Sequence, residues 1–150
     1  KMGLRETLGE HMKQALKARE TQRLATIRLM IAGIQTAENA SATGKVPEDE
    51  MQAILLKMIR QRRESAEAFE KGGRPETAAA ELAEISIIEA YLPKQMSEAE
   101  ARAAIGGLIK ELGAAGPKDM GKVMGALKGR FSGQMDFAKA NALVKDLLSK

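Results

Sequence analysis

The feature that most constrains the fold is a helix stop at Pro93, followed four residues later by a helix start at Ser97. Proline disfavours helical geometry at the residue before it, so the apolar stretch ending in Tyr91-Leu92 cannot continue as a helix. Ser97-Glu98-Ala99-Glu100 is a capping box, in which two side chains satisfy each other's backbone N–H groups. We therefore predict two domains, 2–96 and 97–150.

The residues on both sides of this break favour helices. Ala, Leu, Glu, Lys and Arg dominate the chain, whereas Val and Thr, which favour strands, are sparse. The absence of cysteine excludes disulfides and thiolate chemistry. No apolar run approaches the roughly 18 residues of a membrane span. We expect an all-α, cytoplasmic protein that makes no membrane contact.

Four helices are predicted before Pro93 from apolar spacing and from the glycines and prolines at their ends. The second spans about 21–40, the third lies between Pro47 and Gly72-Gly73, and the fourth starts at Arg74-Pro75. The first is predicted to turn one stripe inward: Leu4, Leu8, Met12 and Leu16. The fourth is predicted to bury Leu82, Ile85, Ile88 and Leu92.

Three shorter helices are predicted after the break. The fifth runs from Ser97 to Leu112, the sixth begins in its first turn with Pro117, and the seventh starts near Asp136. The predicted architecture is an N-terminal four-helix region followed by a small three-helix C-terminal domain.

The sixth helix carries glycine where no apolar core requires it. Gly121 and Gly125 stand four residues apart on one face, and each costs about 1 kcal/mol of helix stability relative to alanine. Glycine persists in a helix where something approaches the backbone closely. Two interpretations stay open: tight packing against a neighbouring helix of the same domain, and exposure of the backbone to a nucleic acid.

Basic residues concentrate around this glycine-containing helix. Residues 117–150 hold seven basic and three acidic side chains, whereas residues 1–96 hold 15 and 14. An anionic partner for the C-terminal part is favoured by this asymmetry. No aromatic platform for stacked bases is present, which favours contacts with shape and phosphate over base readout. The predicted RNA-binding residues are Lys118, Lys122, Lys128, Arg130, Gly121 and Gly125.

A second basic run lies on the third helix, with four cations in seven residues: Lys57, Arg60, Arg62 and Arg63. It is interpreted either as a phosphate-binding stripe or as a row of ion pairs within the bundle, and we favour the ion pairs. The glutamates Glu81, Glu84 and Glu89 are accordingly interpreted as salt-bridge partners rather than as acid–base carboxylates.

No pattern predicts catalysis or a metal site. His11 is the sole histidine, and no adjacent nucleophile or orienting partner is evident. Zinc requires several histidine or cysteine ligands, which the chain lacks. We predict no catalytic residue, no metal ligand and no cofactor.

Four strings in fixed order resemble the GatB/YqeY family: 57–65, 69–74, 84–93 and 116–125. The resemblance extends from about Leu4 to Leu148. The part from Gly121 onward is also similar to the C-terminal tail of GatB, the B subunit of the tRNA-dependent amidotransferase. The residues that match that tail are Gly121, Val123, Met124, Lys128 and Gly129. In the enzyme the tail helps to hold the elbow of the tRNA, so the resemblance implies a tRNA-facing surface.

The catalytic cradle domain of GatB and the glutaminase subunit have no counterpart in 150 residues. The resemblance therefore implies a non-catalytic protein that binds tRNA or another structured RNA and is accessory to tRNA-dependent amidation or translation. Two alternatives stay open. One is a protein–protein interaction module without RNA binding. The other, suggested by the family label, is a carbon–nitrogen ligase with glutamine as amido-N-donor.

Overall fold

The computed structural model describes residues 2–150, which contain no strand and confirm the all-α prediction. Within that range the α-helices are α1 Leu4–Lys17, α2 Thr21–Ala40, α3 Glu48–Lys71, α4 Pro75–Glu89, α5 Glu98–Leu112, α6 Met120–Arg130 and α7 Phe137–Leu148. A 3₁₀ turn, Pro117–Asp119, precedes α6. None of these helices combines the length and apolarity that crossing a bilayer demands.

The chain divides into two compact units, the first ending at Pro93 and the second spanning Lys94–Lys150. In the first unit α1 packs along α2, α3 packs along α4, and α2 also contacts α4. Its core is formed by apolar side chains from all four helices, and the fully buried ones are Leu8, Ala15, Ile27, Met30, Ile34, Leu55 and Ile88.

Two leucines predicted to face inward lie on the surface instead: Leu16 is 56% exposed and Leu82 is 52% exposed. Residues four apart on a helix are offset by about 40°, so three such steps carry Leu16 roughly 120° away from Leu4. Ala15 is buried in its place. Ala78, two turns before the buried Ile85, is likewise buried where Leu82 is not. Spacing by four therefore misplaced Leu16. Leu82 lies three residues before Ile85 and about 120° around the helix axis from the buried Ile88, which places it outside the inward side.

The second unit contains α5, α6 and α7, and each of them packs against the other two. The predicted capping box starts α5: Glu100 N–H donates to Ser97 Oγ at 3.1 Å, and Ser97 N–H donates to Glu100 Oε1 at 2.9 Å. Gly113 ends the helix in the left-handed region, with φ of 63°. The core of the second unit includes four fully buried side chains: Ile105, Val123, Leu127 and Val144.

The sequence predicted that Pro117 lies in the first turn of α6. In the structure it opens the 3₁₀ turn that precedes this helix. Local hydrogen bonds hold this turn. Asp119 N–H donates to the Gly116 carbonyl at 2.9 Å, and Ala115 N–H donates to Asp119 Oδ2 at 2.8 Å. The aspartate thus competes with a regular helical start and delays α6 until Met120.

Candidate nucleic-acid interface

Helix α6 has a buried side and a bare side. Val123 and Leu127 are fully buried, and Met120 and Met124 pack beside them on the core of the second unit. Three glycines spaced by four residues lie on the solvent side, and they define what we call the glycine face: Gly121, Gly125 and Gly129.

No other part of the second unit fills the space above the glycine face. A β-carbon built on any of its three glycines has no atom within 4 Å apart from its chain neighbours and the backbone of its own helix. The interpretation that Gly121 and Gly125 permit tight packing within the domain is therefore wrong. Each glycine weakens the helix by about 1 kcal/mol relative to alanine, and no internal contact of α6 explains that cost. Gly129 belongs to the face but was not among the predicted binding residues.

Two lysines border the glycine face. At about 100° per residue, Lys122 and Lys128 lie about 60° to either side of Gly125 around the helix axis. Both are exposed, as is Lys118 in the preceding 3₁₀ turn. Within residues 2–150, neither Lys118 nor Lys128 has an ion pair or a hydrogen bond from its side chain. The structure thus presents backbone without side chains between two ammonium groups.

The other two predicted cations already have partners. Lys122 Nζ lies 3.4 Å from the carbonyl oxygen of Leu112 at the C-terminal end of α5, a long hydrogen bond. Arg130 Nη1 lies 2.6 Å from Glu111 Oε2. This hydrogen bond, reinforced by charge attraction, raises the pKa of Arg130 and lowers the pKa of Glu111. The other N–H groups of the guanidinium stay available, since arginine carries five.

The carboxylates of the second unit are all engaged inside it. Three of the six form ion pairs: Glu98 and Asp146 with Arg102, and Glu111 with Arg130. The other three accept backbone N–H groups: Glu100, Asp119 and Asp136. Five lysines of the same unit have no such partner within the described residues: Lys110, Lys118, Lys128, Lys139 and Lys145. The positive charge of this unit is therefore carried mainly by free lysines on its surface.

The net charge of the chain resides in this unit. Residues 1–93 hold 14 basic and 14 acidic side chains, whereas residues 94–150 hold ten and six. The second unit thus accounts for the whole formal charge of +4. Electrostatic attraction to an anionic partner would consequently act on the second unit.

Two members of the basic run on α3, Arg62 and Arg63, form the ion pairs that the sequence favoured. Lys57 is exposed and forms none within residues 2–150. Arg62 Nε donates to Glu84 Oε2 at 2.8 Å, and Arg63 Nη2 lies 3.5 Å from Glu89 Oε2. Both glutamates belong to α4, which packs along α3. These contacts confirm pairing within the bundle for Arg62 and Arg63.

His11 has a partner that the sequence did not reveal. Its Nδ1 lies 2.6 Å from the hydroxyl of Tyr91, 80 residues away. The two ring centroids are 5.4 Å apart. Arg23 Nη2 donates to the same hydroxyl at 3.4 Å. Only tertiary packing brings these three side chains together. No group of three or more His, Cys, Asp or Glu within residues 2–150 is arranged to hold a metal ion.

Two helical units, the second of which presents a basic and glycine-rich helix, define a small all-α protein with a candidate anion-binding surface. The family model described as Yqey-like protein matches residues 5–148. The chain belongs to this family, in agreement with the resemblance stated from its motifs.

Three proteins of one name are similar to the chain. Over 112 residues the chain is 33% identical to Altered inheritance of mitochondria protein 41, mitochondrial, of Lachancea thermotolerans, covering 73% of this chain and 60% of that protein. Proteins of the same name from Eremothecium gossypii and Vanderwaltozyma polyspora are each 32% identical over 85 residues, covering 57% of this chain and 46% of theirs. The matches thus span between 46% and 60% of these relatives. The relatives are named as mitochondrial, and the cytoplasmic location expected for this chain stays a prediction.

Proposed function

We propose that the second unit binds structured RNA, with tRNA as the expected partner, through phosphates that approach the glycine face of α6. The observation that carries this proposal is that Gly121, Gly125 and Gly129 are open to solvent. Three helix-weakening residues on an exposed face need an external reason. A partner that contacts the backbone of α6 supplies one.

The charges around the glycine face favour phosphate as the group that approaches. Lys122 and Lys128 border the face on two sides, and Lys118 lies just before the helix. A phosphodiester chain is narrow and anionic, so it fits a bare helix surface between ammonium groups. Contacts with phosphates position the protein on the RNA and depend on the shape of the RNA rather than on its base sequence. The resemblance of this helix to the tail of GatB supports tRNA as the RNA concerned.

The same proposal makes the chain non-catalytic by itself. Release of ammonia from glutamine requires a nucleophile activated by an adjacent base. The Nδ1 of His11 forms a hydrogen bond with the hydroxyl of Tyr91. The hydroxyl of Ser86 donates to the carbonyl of Leu82 at 3.5 Å rather than to His11. Purified protein incubated with glutamine and misacylated tRNA is therefore expected to release no ammonia. Ammonia release that disappears on substitution of one residue would favour the carbon–nitrogen ligase instead.

The test is retention of tRNA by two variants of equal charge. One replaces Lys118, Lys122, Lys128 and Arg130 with glutamate, and the control replaces four exposed cations of the first unit, Lys13, Lys17, Arg28 and Lys45, with glutamate. We expect the α6 variant to lose tRNA binding while it keeps its helicity, and the control to bind more tightly than the α6 variant at every salt concentration.

Salt dependence provides an independent measurement on the parent protein. About four phosphate contacts predict that log affinity falls against log salt concentration with a slope of about −3 to −4. An α6 variant that binds tRNA like the parent would overturn the proposal. So would a parent that ignores tRNA at about 50 mM salt, a condition under which phosphate contacts are strong. Either result would favour a protein partner for the glycine face.

A further inference from the structure

Three parts of the first unit bring His11, Arg23 and Tyr91 to a single cavity. His11 lies on α1, Arg23 lies on α2, and Tyr91 follows the end of α4. The cavity measures about 340 Å³, and its lining is completed by Ser86, Ile87 and Ala90. The residues that line it belong to the first unit, whereas the glycine face belongs to the second.

The hydroxyl of Tyr91 joins the three side chains. Arg23 can only donate, so its Nη2 donates to the Tyr91 hydroxyl at 3.4 Å. The same hydroxyl forms a hydrogen bond with His11 Nδ1 at 2.6 Å.

Arg23 provides the donors that the cluster leaves unused, since arginine carries five N–H groups. Within residues 2–150, His11 Nε2 has no hydrogen-bond partner. Arg23 has one further contact, Glu20 at 3.8 Å from its Nη1, which exceeds hydrogen-bond distance. Glu20 is 47% exposed, so water weakens this pair. A ligand that completes the cluster must therefore bring acceptors, and an oxyanion brings several.

The rest of the cavity sets the kind of anion. Ile87, Ala90 and the ring of Tyr91 provide an apolar wall beside the donors. The volume lies at the lower end of the range for small-molecule sites, about 300–1,000 Å³. We propose that this cavity binds a small organic oxyanion, a phosphate ester or a carboxylate whose remainder is apolar or planar.

Nuclear magnetic resonance can test this proposal on the intact chain, because the sequence contains one histidine and one tyrosine. The ring signals of His11 and Tyr91 are therefore unique in a carbon-13 spectrum. Titration with phenyl phosphate and with benzoate is expected to shift both sets of signals saturably. The ligand that binds more tightly shows whether the cavity prefers a phosphate ester or a carboxylate. Benzamide, a neutral counterpart of benzoate, is expected to bind at least about tenfold more weakly, since it lacks the charge-assisted hydrogen bonds.

Matched arginine variants localise the site on α2. Arg23→Gln is expected to weaken the tighter ligand by about 10- to 100-fold, which corresponds to a lost hydrogen bond to a charged group. Arg28→Gln removes an exposed arginine from the same helix and is expected to change nothing. Tyr91→Phe retains the ring and tests the hydroxyl separately, with the His11 signals as the readout.

Three results would overturn the proposal. The first is unchanged His11 and Tyr91 signals in the parent protein with either anion at about 10 mM, which would exclude Kd values near 1 mM. The second is binding of benzamide as tight as that of benzoate, and the third is equal loss of affinity in Arg23→Gln and Arg28→Gln. The first two use the unmodified chain, so they decide the question even if a variant fails to fold.

Discussion

The guanidinium of Arg130 lies against the carboxylate of Glu111, with 2.6 Å between Nη1 and Oε2. The pair joins the last residue of α6 to the penultimate residue of α5. Glu111 thereby places a negative charge beside the guanidinium of Arg130. A phosphate that approaches Arg130 must share it with Glu111 or displace that carboxylate.

Removal of the Glu111 charge is therefore expected to strengthen RNA binding. Glu111→Gln should raise tRNA affinity by about two- to fivefold, the range expected for release of an exposed pair. It should also steepen the salt slope by nearly 1, because Arg130 becomes free to contact a phosphate. Glu98→Gln makes the same charge change on α5 and is the control. Equal effects of the two substitutions would show that net charge, rather than Arg130, sets the affinity.

Alanine on the glycine face is expected to separate stability from binding. Gly121→Ala with Gly125→Ala should stabilise the second unit by about 1–2 kcal/mol, because the added methyl groups meet open space and alanine favours the helix. The same double variant should lose about tenfold in tRNA affinity, or about 1.4 kcal/mol. Thermal unfolding and tRNA titration measure the two effects.

Gly107 on α5 serves as the control for that double variant. It is exposed, and an added β-carbon there also has no neighbour within 4 Å. Gly107→Ala should therefore stabilise the unit without a change in tRNA affinity. Undiminished tRNA binding by the double variant would mean that nothing approaches the backbone of α6.

The two ion pairs between α3 and α4 are expected to differ in their contribution to stability. Arg62 is 14% exposed, donates to Glu84 at 2.8 Å and also donates to the Met58 carbonyl at 3.2 Å. Arg62→Met should lower the free energy of unfolding by about 1–2 kcal/mol. Arg63 is 53% exposed in a 3.5 Å pair, so Arg63→Met should change it by less than about 0.5 kcal/mol. Urea unfolding compares them, and a reversed order would contradict this account.

The capping box at the start of α5 is expected to respond to acid. Hydrogen bonds from the Ser97 backbone and side chain lower the pKa of Glu100 below its usual 4.5. A carboxylate with a lowered pKa stabilises the fold above its unfolded pKa and loses that contribution as the pH falls through the folded pKa. The stability difference between the parent and Glu100→Gln should therefore shrink below about pH 4.5. Urea unfolding across that range measures it, and a constant difference would exclude the carboxylate as the source.

The two compact units are expected to fold separately. Each contains its own buried apolar cluster, so fragments 2–93 and 94–150 should each unfold cooperatively on heating. Fragment 2–44 separates α1 and α2 from α3 and α4, and it should show no cooperative transition because it divides the first core. Absence of a cooperative transition in 2–93 would contradict the division at Pro93.

The start of α5 was predictable because its cause is local: the reciprocal hydrogen bonds of Ser97 and Glu100 join residues three positions apart. The end of α4 was predicted less well, because the helix stops at Glu89, before Leu92 and Pro93. Burial was less predictable, since it depends on the angle that accumulates along a helix. Leu16 departs from the inward side for this reason, and Ala15 replaces it.

The candidate sites required tertiary information. The sequence showed that Gly121 and Gly125 share a face, but three packed helices could have turned that face inward. The pairing of Arg130 with Glu111 depends on how α5 and α6 meet, and the contact of His11 with Tyr91 joins residues 80 positions apart. Pairing of Arg62 with Glu84 was predictable because both helices carry complementary charge and follow each other in the chain.

The two units follow each other without intervening residues, at Pro93 and Lys94. A neutral unit that is joined so closely to a basic one acquires the basic unit's location without any attraction of its own. If the second unit is held on an RNA, every molecule captured by the first unit is delivered to the same RNA at an effective concentration of about millimolar. The covalent link would then keep a ligand of the first unit close to the RNA bound by the second. A longer flexible segment inserted after Pro93 would lower this effective concentration.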